Sequence, residues 1–132
     1  MKTERLLGAA FAALAIAAGL TTASLAALGA RNATARFDVR RFRPNVLVDT
    51  EGAAGLVEVD WVGKTLRVGG ARVKVDIPCV RCVMPTLPQQ NLPKDPSVLR
   101  TIVRDAAQNL GVYATAVTPG RVAVGDAVEI VS

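Results

Sequence analysis

Histidine is absent from the 132 residues, which removes the usual general base at neutral pH and the commonest metal-binding side chain together. Any chemistry must then come from sulfur, from carboxylate, or from a bound cofactor. Sulfur is scarce as well, since Cys79 and Cys82 are the only cysteines. Two cysteines so close together are a poor disulfide framework, and a structural zinc site needs four protein ligands, so it would have to be shared between two chains. Aromatic residues make up only 4% of the chain. Long blocks of lysine or arginine are missing, as are helix-turn-helix, RNA-recognition and zinc-finger patterns, so nucleic acid is not expected as a partner. The formal net charge of +5, from 16 Lys+Arg against 11 Asp+Glu, says only that an anionic partner is tolerated. No internal repeat is present.

What the chain has in quantity is aliphatic side chain. Its hydrophobic fraction of 51% rests on Val, Ala, Leu and Ile, which suits a β-rich core in a single domain. The first residues carry Lys2, Glu4 and Arg5, then run without charge from Leu6 to Leu20. Such a start resembles a secretory signal, although no clean Ala-x-Ala follows and the run is too short for a confident membrane span. An alanine-rich buried helix is the bland reading. Residues 1–19 are therefore expected to stand apart, as a signal-like or misplaced segment. The chain is expected in the cytoplasm, or exported or membrane-associated if residues 1–20 are a true leader.

From Leu20 the pattern becomes more informative. Thr21, Thr22 or Ser24 can cap a helix that carries Leu25 and Leu28. Arg36, Arg40, Arg41 and Arg43 surround Asp38, a patch that reads equally as an anion site or a solvated edge. Val46-Leu47-Val48 is a short buried strand. Leu56 to Val62, Lys64 to Val68 and Ala71 to Ile77 alternate with period two and break at glycines, which predicts half-buried antiparallel strands, with Gly69-Gly70 as a hairpin turn. Leu87 to Asp95 reads as a loop. Asp95-Pro96 starts a helix carrying Leu99, Ile102, Val103, Ala106 and Leu110, with Gly111 as its C-cap. Val112 to Val117 is a strand, Thr118-Pro119-Gly120 a turn, and Arg121 to Val131 a final strand pair or bent strand. The sum is a mostly β, partly closed barrel with flanking helices, an α+β fold.

Between the last alternating strand and the loop lies Pro78-Cys79-Val80-Arg81-Cys82. The strand is expected to stop at Pro78 and to leave both thiols in a turn. Cys-x-x-Cys spacing serves redox dithiols, half of a zinc site and plain buried cysteines alike. A thioredoxin-like use would want a βαβ context, which the flanking pattern does not offer. Arg81 favours a thiolate at its neighbour, and a soft thiolate suits a soft metal.

Taken in order, Leu20-Thr21-Thr22-Ala23-Ser24-Leu25, Arg41-Phe42-Arg43-Pro44-Asn45, the Arg81-Cys82 pair and Gly125-Asp126-Ala127-Val128 resemble the MOSC domain. That domain occurs at the C-terminus of molybdenum-cofactor sulfurases, in amidoxime-reducing enzymes and in their bacterial relatives. The resemblance runs over residues 20–132 and implies the later part of a β-barrel-like domain, incomplete at its N-terminus and so open at a strand edge. It also implies binding of molybdenum cofactor (molybdopterin), an anionic pterin with a dithiolene and a phosphate. Cys82 takes the role of catalytic residue and metal ligand, or carrier of a transferable sulfur. Thr22, Ser24, Arg43, Asn45 and Arg81 take the role of cofactor contacts, and Cys79 that of a small buried hydrophobe. The implied activity is reduction of N-hydroxylated compounds or sulfur delivery, with a redox partner or a sulfurase as the other protein. The alternative is a truncated, non-catalytic remnant that acts by associating with another chain. Pro85 and Thr86 stand where relatives commonly carry two threonines, and proline there removes a backbone donor.

Overall fold

A computed structural model of the chain describes residues 4–9, 16–50 and 52–132. Among these, seven strands form: β1 (Glu4–Ala9), β2 (Ile16–Thr21), β3 (Val46–Asp49), β4 (Thr65–Val68), β5 (Ala71–Val80), β6 (Asn109–Thr118) and β7 (Ala127–Ile130). They hydrogen-bond in the order β1-β3-β2-β6-β5-β4-β7, and β7 returns to β1 to close a barrel. Neighbours are antiparallel except β2 and β3, which run parallel and are joined through helix α1 (Thr22–Arg31). A second helix, α2 (Ser97–Ala106), lies between β5 and β6 in sequence.

The alternation read from the sequence appears as burial. Along β5, Val73, Val75 and Cys79 point inward while Arg72, Lys74 and Asp76 face solvent, the two-residue period of a half-buried strand. With Val46, Val48, Leu66, Val68, Val112, Val128 and Trp61, Val73 and Val75 fill the barrel. A gap of about 30 Å³ remains inside, with purely apolar walls, so the barrel is a packed core rather than a pocket. A second cluster, Leu20, Leu28, Phe42, Val98, Ile102 and Leu110, seals both helices to the barrel wall. Each aliphatic side chain buried this fully contributes about 1.5–3 kcal/mol relative to exposure.

Several expectations change. The apolar start does not stand outside the sheet: β1 pairs with β3 on one side and β7 on the other, and β2 pairs with β3 and β6. Among the described residues the expected open strand edge is therefore absent. Alanine and glycine are poor strand formers, which is why these strands are faint in the sequence. Residues 1–3 and 10–15 of the expected leader lie outside the described residues. No helix among the described residues is long and apolar enough to cross a membrane.

Leu56–Val62 is not a strand. Val57–Trp61 is a 3-10 turn in which Glu58 and Trp61 are buried and Val59 and Asp60 are not, so the spacing of three outweighs the apparent alternation. Gly111 caps no helix. The left-handed positions after α2 are taken by Ala107 (φ 50°) and Gln108 (φ 70°), while Gly111 sits inside β6 at φ 83°, where a Cβ would come within 2.6 Å of the Gly19 carbonyl oxygen. Only glycine permits that approach of β6 to β2. Of the stretch Arg121 to Val131, only Ala127–Ile130 is strand.

Candidate functional site

β5 does not stop at Pro78. It runs on to Val80, with irregular pairing between Val75 and Ile77 and between Pro78 and Val80. Such bulges accommodate a residue that cannot donate to the ladder. Cys79 is consequently inside the strand and buried, whereas Cys82 lies past the strand end and is exposed. The thiols thus have different surroundings, and the sequence's demotion of Cys79 to a small buried side chain matches its place in the core wall.

A cavity of about 240 Å³ opens beside them, lined by Arg41, Phe42, Arg43, Cys79, Val80, Arg81, Cys82, Met84, Pro85, Gln89 and Tyr113. Three guanidinium groups and, among the described residues, no carboxylate stand on its wall. Each arginine is held differently. Arg81 donates from Nε to the Leu110 carbonyl at 2.8 Å and from Nη1 to the Phe42 carbonyl at 3.3 Å, and its guanidinium lies 5.3 Å above the Phe42 ring, a cation–π contact. Its backbone N–H is fixed to the Gln108 carbonyl at 2.8 Å. Arg43 has a left-handed backbone, φ 48°, a strain that concentrates at functional sites. Among the described residues its side chain makes one long hydrogen bond, Nε to Gln89 Oε1 at 3.4 Å, which leaves an exposed cation at the cavity mouth.

Arg41 is 2% exposed. It donates to the carbonyls of Arg36 at 3.0 Å, Pro85 at 3.1 Å and Pro93 at 2.9 Å. Pro85 belongs to the Met84–Thr86 turn that follows Cys82, so Arg41 ties this turn to the loop at Pro93 and keeps an uncompensated charge at the wall. Arg40, by contrast, is spent on Asp38. The pair meets at 2.8 Å, and the Arg40 guanidinium holds the Asp38 carboxyl down to about 2. The arginine patch seen in the sequence therefore divides: Arg41 and Arg43 line the cavity, while Arg40 neutralises Asp38 and bonds to Gln90 and Asn91.

Tyr113, on β6 opposite Ile77, was not singled out in the sequence. The Cys79 sulfur beside its hydroxyl holds the phenol above its ordinary range, while Arg81 pulls in the other direction. The hydroxyl stays protonated at neutral pH and is a donor at the cavity wall.

Of the sequence-derived site residues, Cys82, Arg81 and Arg43 meet at this cavity. Thr22, Ser24 and Asn45 are not among its lining residues. The Ser24 hydroxyl donates to Glu58 Oε2, which also accepts from Thr21 Oγ1 at 2.7 Å. Thr22 Oγ1 accepts from the Thr50 N–H at 3.0 Å and approaches Asp49 at 3.4 Å. Asn45 bridges strands, with Oδ1 accepting from the Ala18 N–H at 2.8 Å and its own N–H donating to the Ala18 carbonyl at 2.9 Å. These three side chains organise the start of α1 and the β2–β3 seam. Among the described residues no cluster of three or more His, Cys, Asp or Glu side chains could hold a metal ion on its own.

Comparison with known proteins agrees with this barrel and its motifs. Residues 3–129 match the MOSC domain. The chain belongs to the MOSC domain family. It is 35% identical over 83 residues to the molybdenum cofactor sulfurase of Drosophila erecta, a match covering 61% of this chain and 10% of that protein. The corresponding protein of Drosophila melanogaster is 35% identical over 79 residues, covering 58% and 10%. The aligned stretch is thus about a tenth of the length of these relatives. Among solved structures, YiiM from Geobacillus stearothermophilus superposes with a TM-score of 0.65 at 17% identity, covering 88% of this chain and 54% of that one. YiiM from Escherichia coli gives 0.63 at 17% identity, covering 100% and 64%. At that identity the likeness is one of fold.

Proposed function

We propose that this MOSC domain binds a molybdenum cofactor in the cavity beside Cys82, and that the Cys82 thiolate ligates the metal or carries a transferable sulfur. The observation that carries this reading is an exposed thiol on a wall with three guanidinium groups and, among the described residues, no acid. The residues suit the group chemically. Sulfur is the ligand a soft metal prefers, and arginine forks suit the anionic dithiolene and phosphate of the pterin. When bound, the molybdenum supplies electron-transfer chemistry that no side chain here offers.

The chain's own part is positioning. Arg81, fixed by two carbonyls and the Phe42 ring, holds a cation on the wall that Cys82 shares. Arg43 is free to turn toward an incoming anion, and Tyr113 offers a protonated hydroxyl. The implied task is reduction of N-hydroxylated compounds or delivery of sulfur; the name of the curated relatives favours the latter. The alternative, a truncated non-catalytic remnant that associates with another chain, rested on a missing barrel segment before Leu20; in that stretch β1 pairs on both sides with β3 and β7.

Protein purified from a host that makes the cofactor should contain molybdenum and pterin in amounts close to equimolar with the chain, measured by elemental analysis and by fluorescence of the oxidised pterin. Metal-free, pterin-free protein from such a host would overturn the proposal.

A further inference from the structure

α2 carries two apolar stripes. Val98, Ile102 and Ala106 are buried against the barrel. Leu99 and Val103, four residues apart and so adjacent on a helix surface, face a groove of about 770 Å³ whose other walls are Val83, Thr86, Lys94 and Pro96. Val83 and Val103 are 56% and 49% exposed, so nothing in the described chain covers this stripe. Three cations border it, Lys94, Arg100 and Arg104, and no carboxylate among the described residues lines it. Arg104 is paired with Asp105 at 2.8 Å. The side chains of Lys94 and Arg100 have no hydrogen bond or ion pair among the described residues.

The geometry points to a docking groove for an acidic, amphipathic segment of another protein, its apolar side chains lying on Leu99, Val103 and Val83 and its carboxylates meeting Lys94 and Arg100. An apolar strip with cations at its rim takes a helix or extended segment bearing aliphatic anchors flanked by acids. Because Val83 directly follows Cys82, a segment seated here ends beside the thiol. That the docked protein serves Cys82 rests on the proposed function; the docking itself does not, since none of the groove residues holds the cofactor.

The test uses the full chain and a short fluorescent peptide with leucines at helical spacing flanked by glutamates, beside a twin carrying lysine for every glutamate. The acidic peptide should bind about tenfold more tightly than its twin at low salt, and this preference should shrink as salt screens the exposed charges. The double variant K94E/R100E should reverse the preference, and Val103→Asp should weaken both peptides. Bound acidic peptide should also slow alkylation of Cys82 by iodoacetamide in the unsubstituted protein. Equal affinity for the two peptides, an acidic preference that survives K94E/R100E, or tighter binding of phosphatidylglycerol vesicles than of the peptide would each overturn the proposal. Molybdenum content is a separate readout, so loss of cofactor binding and loss of docking are told apart.

Discussion

Serine in place of Cys82 should strip the protein of molybdenum while leaving its fold intact. The two halves of that expectation have separate causes. Sulfur ionises near pH 8.5 in the ordinary case, and more readily beside a cation. A serine hydroxyl does not ionise at neutral pH, and its oxygen is harder than a soft metal prefers. Even partners that only orient metal ligands cost about 10–100-fold in metal affinity when lost, so removal of a ligand should weaken retention of the metal by at least about tenfold in affinity. The fold should be indifferent, because Cys82 is exposed and makes no hydrogen bond among the described residues. Exposed substitutions of this kind stay within about 0.5 kcal/mol. Cys79→Ser gives the contrast. Cys79 is 2% exposed in the β5 wall, and a smaller, more polar side chain buried there beside Tyr113 should cost about 1 kcal/mol. Metal analysis and urea unfolding of both variants check the pair of expectations. A Cys82→Ser protein with full metal would remove Cys82 from the proposed role.

Arg41→Met should be the most damaging single change to stability near the site. Methionine is of similar length and apolar, so it keeps much of the packing while removing the charge and all three hydrogen bonds. The Arg36, Pro85 and Pro93 carbonyls lose the donor they share, and a buried polar group without a partner costs about 1–3 kcal/mol. Arg36 and Pro93 are exposed, so water can replace the lost donor at their carbonyls, and the expected loss of about 1–3 kcal/mol comes from the buried Pro85 carbonyl. Urea unfolding should show a lower midpoint with an unchanged slope. Arg41→Lys should fall between, since a compact ammonium on a flexible stem does not reproduce the rigid guanidinium fork. The Met84–Thr86 turn should loosen as well, so cofactor retention should drop with stability. A variant as stable as the unsubstituted protein would show that the clamp contributes nothing.

The parts of the site that depend on chain order were legible in the sequence. Arg81 and Cys82 are adjacent residues, and a β-strand ending beside them had to place them together. Arg43 was legible as part of a string. Arg41, which structurally matters more, was hidden because burial of a charge depends on carbonyls 44 and 52 residues away along the chain. The sequence showed it only as one member of the arginine patch around Asp38 and as the first residue of the Arg41-Phe42-Arg43-Pro44-Asn45 string. Tyr113 was hidden for the same reason: it reaches the cavity only through the β5–β6 pairing. Thr22 and Ser24 show the opposite case. Their hydroxyls were visible as polar groups in an apolar run, but the sequence could not reveal that Glu58, read as part of a strand, would turn inward. Glu58 is 1% exposed, and its Oε1 has no hydrogen-bond partner among the described residues, while its other oxygen is the acceptor around which Thr21 and Ser24 are arranged. The barrel was legible wherever Val alternated with Arg or Lys, as along β5, and illegible in β1 and β2, where alanine and glycine carry little contrast between faces.

The proposed coordination of molybdenum by Cys82 is most directly tested by X-ray absorption at the molybdenum edge of the purified, cofactor-loaded protein. A thiolate sulfur beyond those supplied by the dithiolene is the expected result, absent from whatever metal the Cys82→Ser protein retains. A sulfur shell identical in the two proteins would contradict ligation by Cys82.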